Sequence, residues 1–335
     1  MAHAIEVEGL TKIYGQGRRG VTPVLAVDHI SFAVGQGETF GFLGPNGAGK
    51  TTTINILTTL LPPSEGAARV MGHDVVKHSY GVREEIGIVP EISNIYEEYS
   101  AWDNLMFTAR LYGVPRAERE RRAKELLTAF SLWEKRDTLS EGFSKGMKRR
   151  LCLAMGLMHR PRVLFLDEPT SGLDVQSVLV IRDIIRRLRD EGVTIFLTTH
   201  NIEEASQSCD RVAIIARGHI AAVDTPENLK ATFQGMQSVE VAFCDECDAA
   251  ALSGLSGVRE ARRFGDKWRL YTDAPGMVIP GVVDWARQQG LTIASLNTLG
   301  PSLEEVFVQI TGLTLPARAE GEGQRSNSSR KGKMQ

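Results

Sequence analysis

At 335 residues the chain is long enough for two ordinary cores. Its balance of 42% hydrophobic and 24% charged residues is that of a globular protein, which excludes a disordered or fibrous chain. A formal charge of −2 argues against a strongly basic nucleic-acid binder, although a local patch stays open. No apolar run approaches the roughly 20 residues that span a bilayer, and Met1-Ala2-His3-Ala4-Ile5-Glu6 is no signal peptide. A cytosolic chain that meets a membrane only through a partner is therefore expected. Cys152 and Cys209 sit singly in apolar-periodic segments and read as packed thiols. Cys244-Asp245-Glu246-Cys247 is a lone C-x-x-C without a second pair or a nearby histidine, which suits a reducing compartment better than a zinc site.

Taken in order, Ile5 to Glu8 alternates like a strand and Leu10 to Tyr14 continues it as an edge segment. A Gly- and Arg-rich loop over Gly15–Pro23 leads into strand character from Val24 to Val34, and Gly35-Gln36-Gly37-Glu38 turns the chain. Thr39 to Leu43 is an apolar run that predicts a buried strand. Thr52 to Leu61 predicts a helix, with Ile54, Leu57 and Leu61 at helical spacing. Between them stands Gly44-Pro45-Asn46-Gly47-Ala48-Gly49-Lys50-Thr51, a full match to the phosphate-binding pattern G-x-x-x-x-G-K-[ST]. Its glycines let successive amides face a polyphosphate, Lys50 neutralises phosphate charge, and the Thr51 hydroxyl is placed to ligate Mg²⁺. Strand, loop and helix follow in the order the motif requires, so a nucleoside triphosphate is the expected ligand.

Past the breaker Pro62-Pro63-Ser64-Glu65-Gly66, short strands are predicted at Ala68–Met71 and Ile86–Val89. The pattern then turns helical from Ser100 to Arg160, with helices over Trp102–Tyr112, Arg116–Ser131 and Lys145–His159. Val163 to Leu166 is a continuous apolar strand ending in Asp167-Glu168. A helix over Val175–Asp190 follows, then a strand at Val193–Leu197, a short helix at Ile202–Ser206, and strands at Arg211–Ile215 and His219–Val223. Such alternation predicts a mostly parallel sheet with its ligand at the strands' carboxyl ends. From about Ser238 to Gly312 a second, smaller α/β unit is expected, and from Leu315 a charged, Gly- and Ser-containing disordered tail.

Asp167 ends a buried strand, where its carboxylate can hold Mg²⁺ directly or through water. Glu168 is placed to polarise the attacking water. His200 lies just past another strand end beside the same crevice and is expected at the γ-phosphate. A helix cap or surface charge is the plain alternative for each carboxylate, and a structural role is the plain alternative for the histidine.

These motifs resemble the ATP-binding subunit of an ABC transporter over residues 5–230, in order and in spacing. The resemblance implies an α/β P-loop NTPase fold: an ABC-type nucleotide-binding domain over 1–230 with a helical subdomain at about 92–160. A small C-terminal α/β domain at 231–314 and a tail at 315–335 would follow. It places Tyr14 against adenine, makes Gly44 to Thr51 with Thr52 the ATP-binding segment, and reads Ser171-Gly172-Leu173-Asp174 as the D-loop. The family's signature falls on Phe143-Ser144-Lys145-Gly146-Met147-Lys148-Arg149-Arg150, where Ser144, Lys145, Gly146 and Met147 would cradle the γ-phosphate bound by a second protomer. Lys145 and Met147 replace the usual glycine and glutamine, as in the drug-exporter and ABC-2 branch. Glu91 stands where most members carry a metal-touching glutamine, so the implied metal set is Thr51, Asp167 and Glu91. A cap on the following segment is the other reading of Glu91. Pro301 to Phe307, followed by Thr311-Gly312, resembles the closing helix of ABC-2-type ATPase subunits.

The resemblance implies an ATPase with Glu168, His200 and Lys50 as catalytic residues. It would work as a head-to-tail homodimer (or with a paired ATPase subunit) on a separate ABC-2-type transmembrane permease, at the cytoplasmic face of the membrane, as an exporter. No nucleic-acid partner is expected. The alternatives are a soluble ABC ATPase acting on a ribosome or nucleic acid, and a non-hydrolysing regulatory module. The first usually has two nucleotide domains or a long coiled coil, and the second would be expected to lack Glu168 or His200.

Overall fold

The structure, a computed structural model, describes residues 3–17, 20–232, 237–244, 252–300, 303 and 306–308. Two sheets form its first part. β1 (His3–Tyr14) pairs antiparallel with β2 (Val24–Gly35) on one side and with β4 (Glu65–Val70) on the other, and β5 (His73–Asp74) completes the order β2-β1-β4-β5. β1 is therefore an inner strand as far as Thr11, which corrects the expected edge position for Leu10 and Thr11, while Lys12, Ile13 and Tyr14 pair with β2 alone. Local pattern cannot report pairing with residues some 60 positions away.

The second sheet has the order β10-β9-β3-β8-β7-β6, built from β3 (Thr39–Leu43), β6 (Ile86–Val89), β7 (Val163–Asp167), β8 (Thr194–Thr199), β9 (Arg211–Ala216) and β10 (His219–Asp224). All neighbours are parallel except β10 on β9. Its strands are apolar on both faces because both faces are covered. On β7, Val163 and Phe165 join one core while Leu164 and Leu166 join the other, and on β8 Phe196 lies opposite Ile195 and Leu197.

The first core closes the parallel sheet against the antiparallel one and against α1 (Lys50–Leu57). At its centre Phe196 meets Phe32, Phe40, Phe42 and Phe165 with ring centroids 5.5–6.0 Å apart. α1 is shorter than the predicted Thr52–Leu61. Thr59 turns left-handed at φ 65°, and the amides of Leu60 and Leu61 both close back on Asn55 O. A short helix not foreseen, α2 (Ser79–Glu85), buries only Val82, which leaves almost no periodic signal.

On the other face lie α3 (Ala101–Leu111), α4 (Arg116–Ala129), α5 (Lys145–Gly156) and α6 (Val175–Asp190), whose apolar sides share the second core. The three helices predicted before residue 160 are all present, each within three residues of its predicted ends. α7 (Ile202–Ser208) and α8 (Pro226–Thr232) flank the last strands of the sheet.

A third, antiparallel sheet has the order β12-β13-β11-β14, from β11 (Gln237–Phe243), β12 (Glu260–Phe264), β13 (Lys267–Thr272) and β14 (Ile293–Leu299). α9 (Pro275–Gln289) covers it through Val278 and Val282. Leu303, Val306 and Phe307 do not join that core. They bury against Leu43, Ala205, Val212, Ile214 and Leu229, on the flank of the parallel sheet. The chain thus returns to the nucleotide-motif sheet after the small sheet is complete. Cys152 is a buried thiol donating to Asn94 Oδ1 at 3.1 Å. Cys247 and the tail lie outside the described residues.

Phe196→Ala should lower stability by about 3–5 kcal/mol, since five packed rings cannot all shift to fill the space. Urea unfolding followed by far-UV circular dichroism measures it, and a loss below about 1 kcal/mol would mean that the two sheets do not share this core.

Candidate active site

The phosphate loop grows out of the end of β3. Gly44 N donates to Thr199 O at 3.2 Å, which ties the loop to the end of β8 from its first residue. Gly49 caps α1 at φ 108°, and a Cβ there would stand 2.6 Å from Ala26 O, so only glycine fits. Asn46 and Gly47 are exposed while Ala48, Gly49 and Lys50 are buried, so the loop shows its tip to solvent and encloses its cation. Lys50 Nζ donates to Gly44 O at 2.8 Å and to Pro45 O at 3.3 Å. Thr51 is exposed at the first turn of α1. Tyr14, at the end of β1, is half in solvent, with its hydroxyl 3.3 Å from Thr52 Oγ1.

The neighbouring strands bring the acids. β7 ends in Asp167, whose Oδ1 accepts a short hydrogen bond from Thr198 Oγ1 on β8. The next residue, Glu168, is left-handed at φ 48°, an uncommon conformation for a side chain of this size. Its amide donates to Thr198 O at 3.1 Å. That turn aims the carboxylate back into the crevice. Glu168 Oε1 lies 3.2 Å from Lys50 Nζ, an ion pair in which both side chains are about 6–7% exposed. Glu168 Oε2 lies 2.8 Å from His200 Nδ1, on the residue that follows β8, and His200 is half exposed. Lys50, Glu168 and His200 thus form one connected line from three strand ends.

The signature residues lie elsewhere. Ser144 caps α5, accepting from Met147 N at 3.2 Å, and the Met147 side chain packs on the helical core. Asp174 caps α6 through Ser177, accepting from its amide and its hydroxyl at 2.9 Å each, and these bonds hold its carboxyl below the ordinary carboxylate range. A Cβ on Gly146 would come within 2.3 Å of Ser177 Oγ, and one on Gly172 within 2.3 Å of the Lys145 ammonium. Lys145 therefore lies against Gly172 of the D-loop, and Gly146 against Ser177 in the first turn of α6. Glu91 sits two residues past β6 with its side chain in solvent.

Comparison with known proteins decides the family. Residues 27–171 match the family model described as ABC transporter. The linearmycin resistance ATP-binding protein LnrL of Bacillus subtilis is 34% identical over 315 residues, spanning 93% of this chain and 99% of its own length. This chain belongs to the ABC transporter family. The daunorubicin/doxorubicin resistance ATP-binding protein DrrA of Streptomyces peucetius is 38% identical over 315 residues, 92% of each chain. Among solved structures, cbiO1 from Clostridium perfringens, part of the ABC transporter complex cbiONQ, superposes with a TM-score of 0.63 at 28% identity, covering 69% of this chain and 92% of that one. The protein is accordingly an ABC-type ATPase that binds and hydrolyses ATP, on a P-loop NTPase fold.

Three residues of this ABC ATPase site escaped the sequence reading. Thr198 holds Asp167, but a threonine inside an apolar strand gives no local sign of it. Arg149 is buried on α5 between the strand ends, and its spacing from Cys152 and Leu153 does place it on the inward face of that helix. Glu204, on α7, is 1% exposed; its carboxyl accepts from the hydroxyls of Thr199 and Thr170, and Oε1 is enclosed without a partner. Burial pushes the Glu204 carboxyl above its ordinary value, and nearby Glu168 adds to that against the opposing pull of the two threonines and Arg182. No sequence signal separates it from its exposed neighbour Glu203.

The sign of the resulting pH dependence is fixed. Because the folded state binds the Glu204 proton more tightly, its contribution to stability is complete below the ordinary glutamate pKa of about 4.3 and is lost as pH rises through the raised folded value. Glu204→Gln keeps the shape without a proton to lose. Its melting temperature relative to the parent should therefore climb as pH rises above the ordinary glutamate pKa. Parallel curves would mean that Glu204 ionises like a surface carboxylate.

Proposed function

We propose that this ATPase is the energy-coupling subunit of an ABC-2-type exporter, acting as a head-to-tail dimer with a separate membrane permease. What carries the reading is the line Lys50–Glu168–His200 at three adjoining strand ends, in a chain whose relatives over more than nine-tenths of its length are named as drug-resistance ATP-binding proteins. No helix among the described residues is long and apolar enough to cross a membrane, so membrane work requires a partner, at the cytoplasmic face.

ATP lies along the loop from Gly44 to Thr52, with adenine against Tyr14 and the phosphates at Lys50. Glu168 takes up the proton side of the attacking water, and His200, bonded to the same carboxylate, stays beside the γ-phosphate. Lys50 neutralises charge on the transferring group in a water-poor crevice, where a fixed cation acts strongly. The donors at the far end are all oxygens, from Thr51, Asp167 and Glu91, which suits Mg²⁺. Among the described residues no three His, Cys, Asp or Glu side chains converge on a metal site, so the nucleotide and water would have to complete the shell. Bound there, the ion would offset the negative charge of the transferring phosphoryl group. Ser144, Lys145, Gly146 and Met147 serve the nucleotide of the second protomer. Residues 1–230 form the ATP-binding domain and 231–314 the smaller unit, whose Leu303, Val306 and Phe307 return to the flank of the first.

Lys50→Ala should weaken ATP binding. Glu168→Gln should retain ATP binding and lose at least about a hundredfold in turnover. The stalled protein should run as an ATP-dependent dimer on size exclusion, and cells carrying the permease should lose efflux. Parental hydrolysis by Glu168→Gln would remove Glu168 from the mechanism.

The metal assignment has its own measurement. A carboxylate favours a hard divalent cation more than an amide does. Glu91→Gln should then need more Mg²⁺ for half-maximal hydrolysis while keeping its turnover. Superimposable Mg²⁺ titrations of the two proteins would leave Glu91 as a solvent-exposed turn residue only.

A further inference from the structure

Arg149 is 4% exposed, and among the described residues no carboxylate forms a salt bridge with it. Its five N–H groups instead face five main-chain carbonyls. Nε donates to Pro169 O at 2.8 Å, and Nη2 to Asp167 O at 2.9 Å and Glu168 O at 2.6 Å. Nη1 makes a short bond to Pro90 O and a longer one, 3.4 Å, to Glu91 O. The acceptors come from two separate turns, one after β7 and one after β6. The donor belongs to neither: it stands on α5, five residues after the Ser144 cap. Burial lowers the guanidinium from its ordinary value against the pull of nearby Glu204, Asp167 and Glu91, yet such a group stays protonated, and every hydrogen bond it donates goes to a main-chain carbonyl.

Isolated buried cations are costly, and a sheet end can be closed more cheaply with apolar groups. The arrangement makes sense through what it holds. Glu168 is left-handed, a conformation that persists only where surrounding bonds over-determine it. Three successive carbonyls around that residue are gathered on one planar fork, and the same fork reaches the Pro90–Glu91 turn. We propose that Arg149 is a positioning residue for ATP hydrolysis, the link through which the signature helix α5 keeps the Glu168 turn and the Pro90–Glu91 turn in one fixed relation. This rests on the reading that Glu168 acts on the attacking water and that the start of α5 meets a nucleotide. A displacement of α5 reaches both turns through one side chain, without passing along the sheet.

The fork makes the role testable. Lysine keeps the charge but offers three donors from a single atom, which cannot serve two turns at once. In the full-length protein, Arg149→Lys should keep its ATP Kd within about twofold while kcat falls at least about tenfold, the signature of misplacement rather than lost binding. Hydrogen exchange should rise in peptides covering 90–92 and 167–171 and stay at parental levels in the strand β3 and the loop 44–51. Arg149→Gln, uncharged, should show the same split more strongly. Parental kcat in a folded Arg149→Lys protein would overturn the proposal. So would equal losses in binding and turnover, or failure of both variants to fold, since each would make Arg149 a residue of general stability. Glu168→Gln run alongside keeps the two readings apart. If it still hydrolyses ATP, the catalytic assignment falls; if it is inactive and Arg149→Lys is not impaired, only the role of Arg149 falls.

Discussion

Two opposite charges are enclosed where β3 and β7 end, the Lys50 ammonium and the Glu168 carboxylate, 3.2 Å apart and nearly out of water. Burying either one alone would be strongly unfavourable, and the pair is tolerable only because its remaining valences are met. Gly44 O and Pro45 O take two donors of the lysine, and His200 meets the far oxygen of the glutamate. Everything near the crevice follows from keeping that pair in place. The loop must fold back over its own lysine, which demands glycine at Gly49. The chain after β7 must reverse in a left-handed residue, which demands an external grip.

The fold supplies a platform stiff enough for this. Four parallel strands, β3, β8, β7 and β6, stand side by side, so their carboxyl ends form one row that carries the loop, the histidine, the two acids and Glu91 in turn. Both faces of the sheet are covered, so along the strands every side chain is packed and only the ends are free for chemistry. The ring cluster around Phe196 binds the antiparallel sheet to one face, and through β1 it carries Tyr14 to the flank of α1. The helical layer on the opposite face carries the signature segment. Its contacts run to the D-loop through Gly146, Ser177, Lys145 and Gly172, and to the strand ends through Arg149.

Much of this was legible in the sequence where the relevant chemistry is local. The phosphate loop is eight consecutive residues whose shape depends on their own glycines. Asp167-Glu168 closes an apolar run whose length and character announce a buried strand. The caps at Ser144 and Asp174 act within three residues. The helix α6, long enough to show a clear 3.6-residue period, was predicted to the residue, while α2, with one buried side chain, left no trace.

Tertiary structure alone decided what depends on partners far along the chain. The placing of β1 inside its sheet, the grip of Thr198 on Asp167 and the burial of Glu204 each join segments that share no periodic pattern. So does the return of Leu303, Val306 and Phe307 to the flank of the parallel sheet. Arg149 is the sharpest case: its helical face could be inferred from its own neighbours, but its five acceptors are carbonyls, which every residue possesses. Main-chain acceptors leave no mark in a sequence, so only the path of the folded chain could bring those five to one side chain.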